Sequence, residues 1–558
     1  MEKKMITVII PFLNERYEVE NTIESVLKHS DNRIDIIVIN DASDDGFDYK
    51  SIIEDYPVTY IENNERKGVA ASRDLGVEMS KTPYFLLLDA HMRFSNDLWI
   101  DRIITELETD PRSLLCFQTQ VLELKNGCLT ERIEYTLSFG AYIEMHGLQT
   151  LTEPAWTYRE PEETSHLQTI PIVCVLGAGY ACRKEYWQYL KGLEGLKFYG
   201  TDESYISMKV WLEGGSCKLI KDLTIGHIYR TAKVPYKTDM QFRLYNRLLV
   251  IELFYPKKHK KELISRLRLA FYEVLQDSLL MMYQHREHIE QLRLYYKKIF
   301  TRDFSFFESL NTKYFRKDVM VDNINDILNR ITSRIENESI QEIGLLKGSM
   351  GIVIFLFHYA RFSGKDQYKD MAEKILSNLI KNIRMDTHYG FATGLCGIGW
   401  GIAYLFQQGF IEGDTNEVLM DFDKKIMEIN PKRIINLDKD YGLGGIVLYL
   451  LTRLYTIEKE KQNNPFDSDY LSSVHDRIRT VFEHPKTFSD SIYAFIEFSD
   501  YYQGKSEIAQ PELYDVWCLL NTKNVSLNDL ELGLLGATGV GLKLILEKTS
   551  PSLNNLIL

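Results

Sequence analysis

Four strand-like runs in the first 91 residues restrict this chain more than any other feature: MITVIIPF (5–12), IDIIVIND (34–41), VTYIEN (58–63) and YFLLLDAH (84–91). Helical spacing fills the gaps, from about Glu18 to His29 and through RKGVAASRDLGVEMS (66–80). Continuous apolar runs suit parallel strands covered on both faces. The alternation therefore predicts a right-handed, mostly parallel α/β sheet. Such sheets bind ligands outside the carboxyl ends of their strands. Glu15, Asp41, Asp44 and Asp89 all fall just past such ends.

The fourth run ends in an acid and an imidazole two positions apart, Asp89 and His91. Residues i and i+2 of an extended chain point to the same side, so the two can hold one ion together. A carboxylate and a neutral imidazole suit a borderline divalent ion such as Mn²⁺. Such an ion neutralises a diphosphate and acts as a Lewis acid toward a departing group. The alternative is a helix-capping aspartate beside an incidental histidine, and spacing alone leaves both open.

Composition narrows the function classes. At 558 residues the chain is too long for one ordinary core. The net charge of −13 comes without a large basic block, which argues against a nucleic-acid partner. No apolar run reaches the 18 residues of a membrane span, and MEKKMITVIIPF reads as a first strand rather than a signal peptide. KKHKK (257–261) reads as a solvated helix start or a membrane-surface contact. Seven scattered cysteines without a CxxC suit free thiols in a reducing compartment, so a cytoplasmic location is expected.

Six ordered motifs carry a resemblance. VIIPFLNE (8–15), VINDASDD (38–45), NNERKGVAASRDLG (63–76) and LLLDAH (86–91) resemble the nucleotide-sugar glycosyltransferases of the GT-A fold, notably family 2. VLGAGYACRKEYW (175–187) and YGTDESYISMKVWLEGG (199–215) continue the likeness. LTIGHIYR (223–230) resembles the GH-x-x-R strand of polypeptide N-acetylgalactosaminyltransferases, which use D-x-H with a later histidine as metal ligand. The likeness spans residues 5 to 235. It implies Asp89, His91 and His227 as the metal set for Mn²⁺ or Mg²⁺. Pro11 and Glu15 would shape the base-and-ribose pocket, Asp41 the uracil edge, and Asp44 is the second acid of that turn. A carboxylate can accept the imide N–H of uracil, so a UDP-sugar is the implied donor. Arg73 matches a basic position facing the diphosphate.

Asp202 and Glu203 stand where the family has an E-D pair, here in reversed order. Attack at an anomeric carbon needs the acceptor proton removed, and Glu203 aligns with the usual base. The reversed order keeps Asp202 open for that role, and a helix-start pair serving the dipole is the structural alternative. Family 2 implies inversion, the GH-x-x-R enzymes retention; inversion is the expectation.

Residues 240 to 335 read as helices, with apolar spacing of three and four in LLVIELF, LRLAFYEVLQDSLLMMYQ and IEQLRLYYKKIF. Beyond them, GLLKGSMGIVIFLFHY (344–359), GFATGLCGIGWGIAYLF (390–406), YGLGGIVLYLLTRLY (441–455) and LGLLGATGVGLKLIL (532–546) recur. Gly348, Gly394, Gly442 and Gly536 are 46, 48 and 94 residues apart, which predicts a degenerate repeat near SIYAFIEF (491–498). A period near 46 with a helix after each glycine turn means stacked helical hairpins. The region resembles the lanthionine-cyclase-like α/α toroid. It lacks the Cys-His dipeptide of the cyclase zinc site, leaves Cys396 in a glycine turn without companions, and shows about five repeats rather than seven. Cyclase activity is therefore not expected.

The reading is an α/β GT-A nucleotide-sugar domain over 1–240, a helical extension over 241–335, and an all-α region of repeated hairpins, a partial toroid, over 336–558. The expected function is metal-dependent transfer of a sugar from a UDP-sugar to a peptide side chain held by the helical module. The alternatives are glycan assembly with the module used for homo-oligomerisation, and a non-catalytic nucleotide-binding module.

Overall fold

The computed structural model describes residues 3–125, 128–132, 137–145, 150–158, 160, 162–229, 238–313, 324–338, 342–384, 387–483, 491–513 and 530–549. Its contacts divide the chain into two units, Met1–Pro256 with Met281–Phe315, and Lys257–Leu280 with Arg316–Leu558. The helical stretch 241–335 is thus shared between the units.

The predicted alternation appears as β1 (Ile6–Phe12), α1 (Tyr17–Lys28), β2 (Ile34–Asn40), α2 (Tyr49–Ile53), β3 (Thr59–Glu62), α3 (Val69–Met79) and β4 (Tyr84–Leu88). β4, β1, β2 and β3 lie side by side in that order, all parallel. β1 and β4 are buried along their whole length, as strands covered on both faces must be.

The first unit continues with β5 (Met92–Arg93), α4 (Trp99–Thr109), β6 (Ser113–Lys125), β7 (Cys128–Glu131), β8 (Ala141–Ile143), β9 (Pro154–Trp156), β10 (Thr169–Pro171), β11 (Gly179–Arg183), α5 (Lys184–Tyr189), α6 (Asp202–Glu213) and β12 (Ser216–Ile228). The sheet order is β10-β12-β6-β11-β4-β1-β2-β3, with β5 on β12 and β7 on β6. β11 runs antiparallel to both β4 and β6, so the sheet is mixed rather than mostly parallel. An apolar run records burial and not direction, which is why the sequence does not show this.

The helices α7 (Met240–Phe254), α9 (Arg286–Ile299) and α10 (Phe304–Thr312), with the end of α8 (Lys257–Gln284), complete this unit. KKHKK opens α8. α7 and α10 pack on α6, and α9 packs on α7. The Asn311 side chain in α10 bonds both the N–H and the C=O of Ile143, each at 2.8 Å, which pins β8.

The second unit is helical: α11 (Ile324–Asn337), α12 (Ser349–Ser363), α13 (Asp366–Asn382), α14 (Leu395–Gln407), α15 (Thr415–Met427), α16 (Leu443–Glu460), α17 (Ser468–Glu483), α18 (Ile492–Tyr502) and α19 (Ala537–Thr549). Each helix predicted from a glycine turn forms, including the degenerate one, which is α18. Gly348, Gly394 and Gly442 are the N-caps of α12, α14 and α16. α14 is buried from Leu395 through Leu405, whereas α13 buries only Tyr368, Ala372, Leu376 and Leu379, one stripe at helical spacing.

The glycine turns hydrogen-bond to one another. Phe391 and Ala392 N–H donate to Asp440 C=O at 2.8 and 3.0 Å, Leu346 N–H to Ala392 C=O at 3.0 Å, and Leu535 N–H to Leu346 C=O at 3.0 Å. Glycine is needed for this approach: a Cβ on Gly344 would stand 2.4 Å from the Thr393 Cα. α19 packs on α12, so the last repeat lies beside the first. The repeats therefore begin and end side by side. Among the described residues no helix is long and apolar enough to cross a membrane.

Candidate metal and acid–base site

The carboxyl end of β4 delivers Asp89 and His91, and β12 delivers His227 from the far side of the sheet. His227 is opposite Met92 in the antiparallel β12–β5 ladder, and Ile228 N–H donates to His91 C=O at 3.1 Å. This register sets the His91 and His227 rings against each other, tilted by 56° with centroids 4.9 Å apart. Ligand atoms of Asp89, His91 and His227 all lie within 4.8 Å of one another, and this is the one such group of three among the described residues. Around an ion with bonds of about 2.1 Å, neighbouring ligands stand about 3 Å apart, so a small closure of these side chains suffices. The mixed nitrogen and oxygen set fits a borderline divalent ion.

Glu15 belongs to the same cluster. Its buried carboxylate lies 3.5 Å from His91 Nδ1, the kind of acidic neighbour that orients a metal-bound imidazole. On the other side Tyr229 abuts the His227 ring at 4.0 Å and hydrogen-bonds Thr119 at 2.9 Å. Arg230, the last residue of the GH-x-x-R run, lies outside the described residues.

Arg73 sits beneath this cluster, buried. Its Nη1 donates to Tyr180 Oη at 3.1 Å and to Asp202, and its Nη2 to Asp89 at 3.0 Å and to Gly177 C=O at 3.3 Å. The four Nη hydrogens thus have four protein acceptors. The resemblance implies a diphosphate opposite this cation; in the structure the guanidinium joins Asp89 to Asp202. Burial opposes the Arg73 charge, but Tyr180, Asp202, Asp89 and Glu203 together hold it above its ordinary value. Burial likewise works against ionised Asp89, yet the His227 hydrogen bond and the charges of Arg73 and His91 keep its carboxyl below the usual range.

The acid pair splits into two environments. Asp202 is ion-paired with Arg73. Glu203 lacks that partner: burial, then the neighbouring Asp202, push its carboxyl well above the ordinary value. A carboxyl raised by burial beside an ion-paired neighbour makes Glu203 the candidate for acid–base work. Its carboxylate rests against bare backbone, since a Cβ on Gly177 would fall 1.9 Å from Glu203 Oε1. Gly177→Ala is therefore expected to displace the carboxylate, the free end of a side chain, and leave the fold intact. Turnover should drop by about 10²-fold, the scale for a group misplaced by about 1 Å, with an unchanged unfolding midpoint.

Asp41 and Asp44 divide differently. Asp41 is buried at the end of β2 and accepts from Asn63 Nδ2 (2.8 Å), Lys67 N–H (2.9 Å), Gly68 N–H (2.8 Å) and Ser72 Oγ (3.3 Å). Its carboxylate fastens the start of α3, and so places Arg73. Asp44 is exposed and exchanges bonds with Asn14, from Asn14 Nδ2 at 2.8 Å and to Asn14 Oδ1 at 3.0 Å. Pro11 lies in β1 opposite Ile39. Asn14, Arg16 and Ala42 all have positive φ, at 58°, 50° and 56°. Strained non-glycine backbone of this kind collects at ligand sites.

The sequence reading did not single out Gly177, Tyr180 or Tyr229. Gly177 and Tyr180 lie in the quoted VLGAGY run, but their roles depend on partners over a hundred residues away along the chain for Arg73.

The rim thus offers a divalent-ion set, a buried cation and a protonatable carboxyl. Residues 7–170 match the family model for Glycosyl transferase family 2, and residues 339–505 match that for Lanthionine synthetase C-like protein. Human polypeptide N-acetylgalactosaminyltransferase 14 is 27% identical over 234 residues, 41% of each chain. Caenorhabditis elegans polypeptide N-acetylgalactosaminyltransferase 4 is 26% identical over 240 residues, 41% of this chain and 39% of the relative. The chain thus spans about two fifths of the length of these relatives. A crystal structure of GalNAc-T7 with UDP, GalNAc and Mn²⁺ aligns with a TM-score of 0.45 at 20% identity, over 55% of this chain and 57% of that one.

Proposed function

We propose that this chain is a metal-dependent glycosyltransferase that moves a sugar, hexosyl or N-acetylhexosaminyl, from a UDP-sugar to a peptide side chain. The observation that carries the reading is the convergence of Asp89, His91 and His227 above an Arg73–Asp202 pair with Glu203 alongside. The family 2 match and the polypeptide-transferase relatives support the reaction class and the peptide acceptor. Asp89, His91 and His227 would hold Mn²⁺ or Mg²⁺. When bound there, the ion supplies charge neutralisation for a leaving diphosphate. Arg73 keeps Asp89 ionised, Glu15 steadies His91, and Glu203 takes the acceptor proton. The helical unit docks the acceptor, and the site of action is the cytoplasm.

The test is UDP release from a panel of UDP-sugars with Mn²⁺, with and without EDTA. EDTA-sensitive release from at least one donor is expected; none from any donor would favour a nucleotide-binding module. Glu203→Gln should lower turnover by about 10²–10⁴-fold, the contribution of a positioned base, with UDP affinity retained. A carboxyl raised by burial stabilises the fold below its unfolded value near 4.3 and loses that contribution as pH rises through its folded value. Glu203→Gln should therefore gain stability over the native chain as pH rises, read by urea unfolding between pH 4 and 8. For the docking role, a photo-crosslinking serine or threonine peptide should label residues 336–558. Labels confined to the first unit would refute that role.

A further inference from the structure

The acid pair is placed by a short loop whose own geometry is costly. Phe198 and Thr201, immediately before α6, have positive φ, at 48° and 70°, whereas Gly200 between them takes its φ of 98° without steric cost. Backbone of this kind persists only where its surroundings over-determine it. The N-cap of α6 does not do so: Thr201 makes no side-chain capping bond, and its buried hydroxyl has no hydrogen-bond partner among the described residues.

Two other elements hold the loop. On one side is the start of α3, the helix that carries Arg73. Val69 N–H donates to Phe198 C=O at 2.8 Å, and a Cβ on Gly68 would fall 2.1 Å from the Phe198 Cα. On the other side is α7. Asn246, buried in α7, accepts from Lys197 N–H at 2.8 Å. Its amide group donates to Lys197 C=O at 2.8 Å, Gly200 C=O at 3.0 Å and Tyr199 C=O at 3.2 Å. One side chain therefore grips both polar groups of Lys197 and the next two carbonyls that matter. Phe242, four residues earlier on α7, packs on the Phe198 ring with centroids 4.3 Å apart.

We propose that Asn246 is a positioning residue for the acid pair: by gripping the backbone of residues 197–200 it fixes where the Glu203 carboxylate stands. It acts through the loop and touches no substrate. The inference rests on the transferase reading above for its kinetic consequence, but not for its structural one. With the grip gone, the strained loop relaxes, α6 loses its fixed start, and Glu203 leaves its pocket against Gly177.

The experiment compares the full chain with Asn246→Ala and Asn246→Asp. The aspartate keeps the volume and the acceptor for Lys197, but removes the amide donors and sets a carboxylate against three carbonyls. Hydrogen exchange followed by mass spectrometry should show protection lost at residues 197–205 in both variants, with β1, β4 and α3 unchanged. UDP affinity, read by titration with Mn²⁺ present, should change less than twofold. kcat should fall at least tenfold with little change in donor KM. The limb of the kcat profile that rises with pH should move to lower pH, because a carboxyl released from burial ionises more readily. Unchanged exchange at 197–205 overturns the proposal, as does unchanged kcat. Loss of UDP affinity in step with kcat, or protection lost throughout the first unit, would make Asn246 a general structural residue and overturn it too. Should the native chain turn over no UDP-sugar, the transferase reading fails, and the exchange result decides the clamp alone.

Discussion

Arg73→Met is expected to destabilise the first unit by about 3–5 kcal/mol, the cost of removing one partner from a buried ion pair. The guanidinium is ion-paired with both Asp202 and Asp89. Without it two carboxylates stand near one another without compensation, and their carboxyls rise. The pH dependence follows from the sign. In the native chain Asp89 is held below the usual range, so its stabilising contribution is present above the unfolded value near 3.9 and is lost as pH falls. In the variant the carboxyls are raised, so stability is lost as pH rises. The deficit should therefore shrink in acid and be largest near neutrality. Urea unfolding in EDTA between pH 4 and 8 reads this directly. Asp202→Asn in the same chain should restore part of the loss; a deficit that is constant with pH would remove the ion pair from the account.

Asp89→Ala is the opposite case, a large loss of activity with a small change in stability. Its carboxylate is one of three groups placed to hold the proposed ion, while Arg73 keeps its bond to Asp202. Changing groups that merely orient ligands costs about 10–100-fold in metal affinity, so removing a ligand is expected to cost more than about 100-fold. Mn²⁺ titration should show that loss, and UDP release should fall to its level in EDTA. Turnover that survives with its metal dependence intact would take Asp89 out of the site.

These two residues also show what the sequence could and could not convey. Asp89 and His91 were legible as a pair at a strand end, although Ala90 and His91 turn between β4 and β5 instead of extending the strand. The parallel half of the sheet was legible because burial on both faces writes itself as apolar runs. The direction of β11 was not, since burial is indifferent to it. His227 could be picked out by resemblance, but its nearness to His91 depends on the β12–β5 register, a long-range pairing. Arg73 was legible as a basic position, yet its partners come from segments 16, 104, 107 and 129 residues away, so its burial was not. Asp41 looked like a ligand group because an acid at a strand end has the same appearance whether it faces water or four internal donors.

The helical unit repeats this division. A 46-residue glycine period specifies how each hairpin stacks on the next. It does not specify where the last one goes: α19 meets α12 through long-range packing, Gly541 against Phe355, and through Leu535 N–H bonded to Leu346 C=O.

The account turns on one divalent ion at the rim of the first unit. Anomalous diffraction at the manganese edge, from crystals grown with Mn²⁺ and UDP, tests it most directly. The predicted result is a single strong peak about 2.0–2.3 Å from donor atoms of Asp89, His91 and His227, with the diphosphate on its open side. A peak elsewhere in the first unit, with none of these three side chains bound to the ion, would contradict it.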